Sequence, residues 1–301
     1  MRQRGVALIT VLLMVAMATT VAAFMAQQQA FWQRGVASGR DRAQAAALGQ
    51  AGVDWARAVL ADDKVNNAYD HARELWAVQL PAIPVEGGEV AGHILERQGL
   101  FNLNNLVRDG KVSAADVARL QRLLALLGLP QDLAWALADW MDADDVPAAG
   151  GAEDRYYLAL PQPYRAANAP LEDLSELLWV RGFDRPTLAR LQPYVTVLPG
   201  ATPLNVNFAP AEVLAAVVDG LSLGQARQLV EKRKRVPWQK REDFMAELPR
   251  GVGESSRREL DVASEFFLVR GQVRLQQGEY AAEALLQRRG VWANVIWQHI
   301  E

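Results

Sequence analysis

The fold of this chain is decided by the stretch GVALITVLLMVAMATTVAAFMA, residues 5–26. It is apolar apart from three threonines, it follows Arg2 and Arg4, and the next charged residue is Arg34. As a helix, residues 6–26 extend for about 31 Å, which matches a hydrocarbon core of about 30 Å. The sequence therefore predicts one membrane-spanning helix, and the arginines before it favour a cytoplasmic N-terminus.

Three interpretations fit this segment: a cleaved secretory signal ending near residues 21–23, a plain single-span anchor, and a pilin-like leader. No Pro or Gly interrupts residues 6–34. Beyond them, apolar residues keep helical spacing at Ala47, Ala51, Trp55 and Val59. One helix from about residue 6 to 61, half in the membrane and half outside, favours the third interpretation.

The start of the chain, RQRGVALITVLL, resembles the leader of a type II secretion minor pseudopilin. The resemblance implies cleavage by prepilin peptidase after Gly5 and N-methylation of Val6, the new terminus. Most pilins carry Glu as the fifth mature residue, where this chain carries Thr10. In ordinary pilin-like subunits that carboxylate neutralises the N-terminal amine of the subunit ahead, and a buried amine without a partner is costly. The missing Glu is typical of the K class and suits a subunit at the filament tip.

The remaining chain alternates between strand-like and helical patterns. Residues 68–80 predict a short helix ended by Pro81, and residues 87–107 predict a hairpin around Gln98-Gly99. The following helices are predicted to begin at the caps Ser113, Asn168, Asp184 and Asn207. Strands are predicted again in the segments FFLVRGQVRLQ, EYAAEALLQRR and VWANVIWQH, which begin at residues 266, 279 and 291.

This order of elements resembles the K-class pseudopilins over nearly the whole chain. The strings that carry the resemblance are FNLNNL (101–106), DWMDADD…GGAEDRYYL (139–158) and LNVNFAPAEVLAAV (204–217). The implied fold class is α+β, with a pilin-like long helix and antiparallel sheet. A large all-α insertion of the SAM-like or helix-hairpin-helix-like kind interrupts it. The predicted division is a leader (1–5), a helix (6–61, membrane span 6–26), a pilin-like domain (62–110 and 263–301) and the insertion (111–262).

An acidic stretch, DWMDADDVPAAGGAEDRYY, is the candidate cation site. Its carboxylates have partial calcium spacing, but Val146 and Pro147 stand where an EF-hand needs a ligand and a Gly. It is therefore not an EF-hand, and a solvated acidic loop is the alternative. The K-class resemblance implies calcium in the helical insertion. The predicted ligands of a structural Ca²⁺ ion are Asp142, Asp144, Asp145, Glu153 and Asp154.

Residues 204–260 also resemble a tandem pair of helix-hairpin-helix modules, which bring backbone amides close to a DNA phosphate. This supports an alternative function, a membrane-anchored periplasmic DNA receptor for DNA uptake. Its contacts would come from Gly220, Gly251 and Gly253 and from the basic residues Lys232, Arg233, Lys234 and Arg235. Ser222 breaks one hairpin pattern, and more than 40 strand-rich residues follow the module, so nucleic acid is not the expected partner.

Composition excludes several other classes of protein. Half of the 301 residues are apolar, 22% are charged and the net charge is −3, which excludes a disordered or collagen-like chain. Because the chain has no cysteine, thiol nucleophiles and disulfides are excluded. Three scattered histidines and the absence of a Walker or Rossmann loop argue against an enzyme.

The resemblance implies a non-enzymatic subunit at the tip of the type II secretion pseudopilus. It would assemble with two other minor pseudopilins, of the I and J classes, to initiate and cap the filament for protein export across the outer membrane. The expected location is the bacterial inner membrane, with one span, a cytoplasmic N-terminus and a periplasmic C-terminal domain.

Overall fold

The computed structural model describes residues 3–276 and 278–300; for residues 3–6 and for Leu80 it describes the backbone. Met1 and Arg2 of the predicted leader lie outside the described residues, and so do Gln277 and Glu301.

One helix, α1, runs from Gln3 to Asn66, so it continues past the predicted end at residue 61. Near its N-terminus lies an 18-residue window with a mean hydropathy of 2.3, none of it buried against the rest of the chain. Large apolar side chains such as Leu12, 61% exposed, face outward there. By length and composition this helix is able to cross a membrane.

The pilin-like part contains a five-stranded antiparallel sheet. Its strands are β1 (Leu80–Val85), β2 (Gly88–Glu96), β3 (Phe266–Leu275), β4 (Gly278–Gln287) and β5 (Asn294–Ile300). The spatial order follows the chain order, and β2 pairs with β3 from Gly88↔Leu275 to Glu96↔Phe267. The two central neighbours are therefore far apart in sequence.

The C-terminal half of α1 covers one face of this sheet. Val53, Ala56 and Leu60 are buried there. They pack against alternate strand residues, which share one face because side chains alternate along a strand: Ile94, Phe267, Val269, Ala284 and Leu286. At Gly49 an added Cβ would lie 3.1 Å from the Cβ of Ala282, so the glycine lets helix and sheet approach closely.

The insertion lies between β2 and β3 and is mainly helical. Its α-helices are α2 (Ala114–Leu126), α3 (Leu133–Met141), α4 (Asp154–Tyr157), α5 (Arg185–Leu191), α6 (Ala211–Val217), α7 (Leu223–Arg235) and α8 (Arg241–Ala246). The 3₁₀ helices of the insertion are Leu103–Leu106, Leu174–Trp179 and Glu254–Glu259; another, Leu75–Ala77, follows α1. Two-residue strands pair Phe101–Asn102 with Val195–Thr196, Val107–Arg108 with Lys111–Val112, and Leu204–Asn205 with Leu260–Asp261. The long helix, antiparallel sheet and helical insertion confirm the α+β fold class.

The insertion begins earlier than the predicted boundary at residue 111. Because Glu96 and Phe267 are register partners, everything between them, about residues 97–265, leaves the sheet and returns to it. The segment 97–110 belongs with the helical core, since Phe101, Leu103 and Leu106 are buried in that core.

Two predicted elements are wrong. Residues 68–80 form only the short 3₁₀ helix Leu75–Ala77, and Pro81 lies within β1 instead of ending a helix. The predicted hairpin around Gln98-Gly99 does not form. The observed hairpin joins β1 to β2 through Glu86 and Gly87, where Gly87 has a φ of +81°. The strand β1 was missed because it contains prolines, which argue against a strand in the sequence but are tolerated at the edge of a sheet.

Two of the four predicted helix caps are confirmed, namely Ser113 for α2 and Asp184 for α5. Asn168 instead adopts a φ of +45°, and the next helix is capped by Asp173. Asn207 lies three residues before the cap of α6. Its amide accepts from the backbone N–H of Trp238 and donates to the carbonyl of the same residue, so a long-range bond replaces the cap.

Candidate functional site

Three buried carboxylates converge in the insertion. Asp139, Asp142 and Glu153 each bring a carboxylate oxygen within 4.8 Å of those of the other two. Their residues are 1%, 5% and 3% exposed, respectively. Asp142 Oδ1 and both carboxylate oxygens of Glu153 lack a hydrogen-bond donor in the described structure. Buried charges without partners are costly, so the cluster needs a counter-charge.

Neighbouring elements position these side chains. Asp139 lies in the last turn of α3 and Asp142 ends that helix, a spacing of three residues that places both on one face. Glu153 is the residue just before α4. Between them, Gly151 passes so close to Asp139 that an added Cβ would lie 1.8 Å from Oδ2. Only glycine permits this approach without rearrangement.

Burial and mutual repulsion raise the pKa values of all three carboxyl groups, so the cluster takes up protons at a higher pH than ordinary Asp and Glu side chains. Burial, together with the charges of Asp139 and Asp142, raises the pKa of Glu153 to about 8. Burial and the neighbouring charges of Asp144 and Asp139 raise the pKa of Asp142 to about 6. Burial also raises the pKa of Asp139, although its Oδ2 accepts from the N–H of Ala148 at 3.0 Å.

The structure brings together only two of the five predicted ligands, Asp142 and Glu153. Asp144 is exposed and accepts from the backbone N–H of Val146, and Asp145 is exposed as well. Asp154 accepts from the N–H of Ala166 at 2.9 Å and pairs with an arginine. Asp144, Asp145 and Asp154 therefore lie outside the cluster of three buried carboxylates, and their role as ligands stays a prediction.

Asp139 is the carboxylate that the predicted ligand set missed. The sequence spacing held a signal for it, because residues three apart, such as Asp139 and Asp142, face the same way when they lie on a helix. With it, the cluster supplies three carboxylates, hard oxygen donors that suit Ca²⁺. Because three of these carboxylate oxygens have no hydrogen-bond donor among the described residues, the cluster is chemically suited to a divalent cation.

A second group of acids is neutralised from within the chain. Asp63, Asp70 and Glu74 also lie within ligand distance of one another. Arg288, however, donates to Asp63 at 2.7 Å and to Asp70 at 2.5 Å. Glu74 accepts from Trp76 Nε1 at 2.7 Å. These bonds make the group an internal ion-pair network that joins α1 to the sheet.

The two glycine hairpins of the alternative DNA-binding interpretation lie against each other inside the insertion. The glycines have φ angles of +81°, +79° and +78° at Gly220, Gly251 and Gly253, respectively. The N–H of Leu221 donates to the carbonyl of Val218 at 3.1 Å, and that of Gly253 donates to Asp219 at 3.0 Å. These amides are therefore committed to loop packing.

The basic run on α7 is likewise used largely within the chain. Arg233 donates to the carbonyls of Val206 and Phe208, and burial lowers its pKa to about 10. The lysines form ion pairs, Lys232 with Glu247 at 2.5 Å and Lys234 with Glu231 at 2.6 Å. Arg235 is exposed at the end of the helix. The geometry gives the DNA alternative no support.

Gly5 and Val6, which flank the predicted cleavage site, lie in the first turns of α1. Thr10, at the fifth mature position, donates its hydroxyl to the carbonyl of Ala7 at 3.1 Å. Its side chain thus bonds within its own helix.

Comparison with known proteins accounts for this architecture. Two family models, both described as type II secretion system (T2SS), protein K, match residues 99–200 and 204–263. The type II secretion system protein K of Pseudomonas aeruginosa is 37% identical over 95% of this chain and 89% of its own length. That of Pectobacterium carotovorum subsp. carotovorum is 34% identical, covering 98% of this chain and 95% of its own length.

A solved structure is similar as well. It is the GspK-GspI-GspJ complex from the enterotoxigenic Escherichia coli type 2 secretion system. The matching chain has a TM-score of 0.78 and 27% identity, with 88% of this chain and 98% of that chain covered. Fold and likeness together define the class: this is a minor pseudopilin, a structural component of protein transport by type II secretion. The chain belongs to the type II secretion system protein K family.

Proposed function

We propose that the chain is the non-enzymatic tip subunit of the pseudopilus. It assembles with two other minor pseudopilins, of the I and J classes, and together they initiate and cap the filament for export across the outer membrane. The observation that carries this proposal is the likeness, over 88% of the chain, to a structure of the GspK-GspI-GspJ complex.

The unpacked half of α1 supplies the surface for assembly. Leu8, Leu12 and Val15 are 65%, 61% and 55% exposed, respectively. In the inner membrane, with the N-terminus in the cytoplasm, this face packs against the equivalent helices of the two partners. Thr19 and Ala22–Ala23, which are small, allow close approach of neighbouring helices.

The position of the insertion supports the capping role. Ser264, at its end, donates its N–H to Asp70, just past the end of α1, and Arg288 bonds both residues. The insertion therefore leaves the sheet at the end farthest along α1 from the predicted span. On a filament held by α1, this places the added bulk at the membrane-distal tip, where it hinders addition of another subunit.

Assembly is tested by purifying the full chain in detergent with I- and J-class pseudopilins of the same secretion system. We expect a stable complex with one copy of each subunit. A chain that stays monomeric with both partners present would contradict the proposal.

We also propose that prepilin peptidase cleaves after Gly5 and that Val6 becomes the N-methylated terminus. Replacing Gly5 by a bulky residue is expected to leave the precursor uncleaved and to abolish secretion. Mass spectrometry of the mature N-terminus is the direct measurement. Normal mature size and normal secretion in this variant would contradict the proposal.

Finally, we propose that Asp139, Asp142 and Glu153 hold a structural Ca²⁺ ion. Its charge would replace the protons that these buried carboxylates otherwise retain, and it would stabilise a domain without disulfides. Excess chelator is expected to lower the melting temperature of the purified chain, and added Ca²⁺ to restore it. An unchanged transition in chelator would contradict this assignment.

A further inference from the structure

A cleft of about 610 Å³ separates the insertion from the face of the sheet that α1 leaves uncovered. Because strand side chains alternate, residues 268 and 285 point to this outer face, while their neighbours 267, 284 and 286 point to α1. Leu198 of the insertion belongs to the same buried cluster as Leu285 and also lines the cleft. The volume is in the range of typical ligand pockets.

The floor of this cleft is apolar. Leu268 and Leu285 are 6% and 3% exposed, and the half-buried indole of Trp297 continues the row on the edge strand β5. A large apolar side chain that enters the cleft would cover this row.

The sheet side of the cleft carries one excess positive charge. Arg270 pairs with Glu283 at 2.7 Å. Arg97, on the same wall, has no hydrogen bond or ion pair from its guanidinium among the described residues. Burial lowers the pKa of Arg97, and the nearby charges of Glu96 and Glu283 offset this only in part. A guanidinium in this state favours a carboxylate, which it can bind through two parallel hydrogen bonds.

The acidic residues on the opposite wall do not cancel the preference of Arg97 for a carboxylate. Asp173 is committed as a helix cap, because its carboxylate accepts from the N–H of Ser175 at 2.7 Å. Glu172 lines the insertion side of the cleft and is exposed, as is Asp173. Solvent therefore screens these two charges more strongly than that of the more buried Arg97.

We propose that this cleft binds an extended segment of a soluble periplasmic protein, with a carboxylate on Arg97 and an adjacent large apolar side chain on Leu285 and Trp297. The occupant is not a neighbouring pseudopilin. Subunits that pack through α1 turn the opposite sheet face, and with it the cleft, away from the filament axis. This last step rests on the proposed assembly, whereas the chemistry of the cleft does not.

The test uses the full chain in detergent and a short labelled peptide with Phe-Glu-Phe at its centre. The expected result is saturable binding that Arg97→Met weakens by about tenfold or more, the range of a desolvated charge pair. Arg289→Met, which removes an exposed arginine outside the cleft, is the matched control and leaves binding unchanged. A peptide with Gln in place of Glu should bind weakly to wild type and to Arg97→Met alike.

A second measurement does not depend on how the variants fold. In the wild-type chain, the peptide should slow deuterium exchange at residues 196–198 and 283–285, and leave β1 unaffected. Equal binding by wild type and Arg97→Met, or no protection of these segments, overturns the proposal. If I- and J-class partners displace the peptide, the cleft belongs to the assembly and the assigned occupant is wrong. Failure of assembly alone would contradict the tip complex and leave the peptide result standing.

Discussion

At the scale of single residues, the chain places three acidic side chains together in one buried cluster, which is electrostatically unfavourable. Asp139, Asp142 and Glu153 are almost fully buried, and three of their six carboxylate oxygens lack a donor in the described structure. A buried ion pair elsewhere in the chain, such as Arg288 with Asp70, shows the usual remedy of an internal counter-charge. The carboxylate cluster has no such arginine or lysine among its described contacts, so a bound cation is the remedy that we expect.

Glu153→Gln tests this expectation against a variant chosen from the sequence prediction. The change removes the charge of the most perturbed carboxylate, so calcium should no longer stabilise the chain. At about a hundred times the dissociation constant, the lost stabilisation amounts to about 2.7 kcal/mol. The measurement is thermal unfolding with calcium and with chelator.

Asp144→Asn is the matched control for Glu153→Gln. Asp144 belongs to the predicted ligand set but is exposed and lies outside the cluster. Its amide variant should keep a calcium response close to that of the wild type. If Asp144→Asn and Glu153→Gln lose the response equally, the ligand assignment is wrong.

The affinity for calcium should depend on pH, because the cation competes with protons. The pKa values of Glu153 and Asp142 are raised to about 8 and about 6. Affinity should therefore be highest above pH 8, fall by about tenfold per unit as Glu153 takes up its proton, and fall more steeply below pH 6. Isothermal titration calorimetry across this range measures it. A flat affinity between pH 6 and 8 would refute a role for Glu153.

The ligand set shows how far sequence reasoning reached at this scale. Residue type and partial calcium spacing selected Asp142, Asp144 and Glu153, since both facts can be read from the chain. Composition also admitted Asp145 and Asp154. The sequence could not separate Asp144 from the buried pair, because burial depends on how the loop folds. The decisive contact, Gly151 against Asp139, joins residues that no helix or strand periodicity relates.

At the scale of elements, one side chain joins three of them. Arg288 follows β4, and its guanidinium donates to the carbonyl of Leu60 in α1 and to Asp70 beyond that helix. It also donates to the carbonyl of Ser264, where the insertion returns to the sheet. The guanidinium lies 4.6 Å from the ring centroid of Phe267. Its side chain, 1% exposed, thus fixes the relative placement of helix, sheet and insertion.

Arg288→Met should destabilise the chain by about 3–5 kcal/mol, because it leaves two carboxylates without their buried partner. Chemical denaturation measures the change. The neighbouring Arg289→Met is the control: its side chain is 74% exposed and 3.4 Å from Glu265, so the cost should stay below about 1 kcal/mol. Equal effects of the two changes would show that the network does not hold the elements together.

Periodicity predicted some elements and missed others for identifiable reasons. The strands β3, β4 and β5 alternate apolar and polar residues, so their segments were found. Pro81 and Pro84 conceal β1, because proline is tolerated at a sheet edge but argues against a strand. Gln98-Gly99 looked like a turn between strands, whereas the chain there leaves the sheet for the insertion.

At the scale of the whole molecule, a complete helical domain interrupts an otherwise simple sheet. The strand order follows the chain order, and the insertion occupies the position of a turn between β2 and β3. Its core contains the buried faces of α2, α3 and α6 and is distinct from the clusters that join α1 to the sheet. The two cores should therefore be separable.

Replacing residues 98–265 by a short Asn-Gly turn tests this separation. The shortened chain should keep its five strands and the packing of α1, with a lower melting temperature, since the bonds of Ser264 to Asp70 and Glu96 are lost. Its stability should no longer respond to calcium. Circular dichroism and thermal unfolding measure both. Loss of the sheet signal would show that the insertion is required for the pilin-like part to fold.

The hydrogen bond that closes the insertion has a consequence for the order of folding during synthesis. The N–H of Arg97 donates to the carbonyl of Phe266 at 3.1 Å, so the folded insertion holds its two ends together. Pairing β2 with β3 through an unfolded loop of this length would be slow, because closing the loop costs chain entropy before the distant strands make any contacts. Once folded, the insertion shortens that loop to the span of an ordinary turn. We therefore expect the insertion to fold before β2 and β3 pair, so that the sheet covering α1 forms after the domain between those two strands is complete.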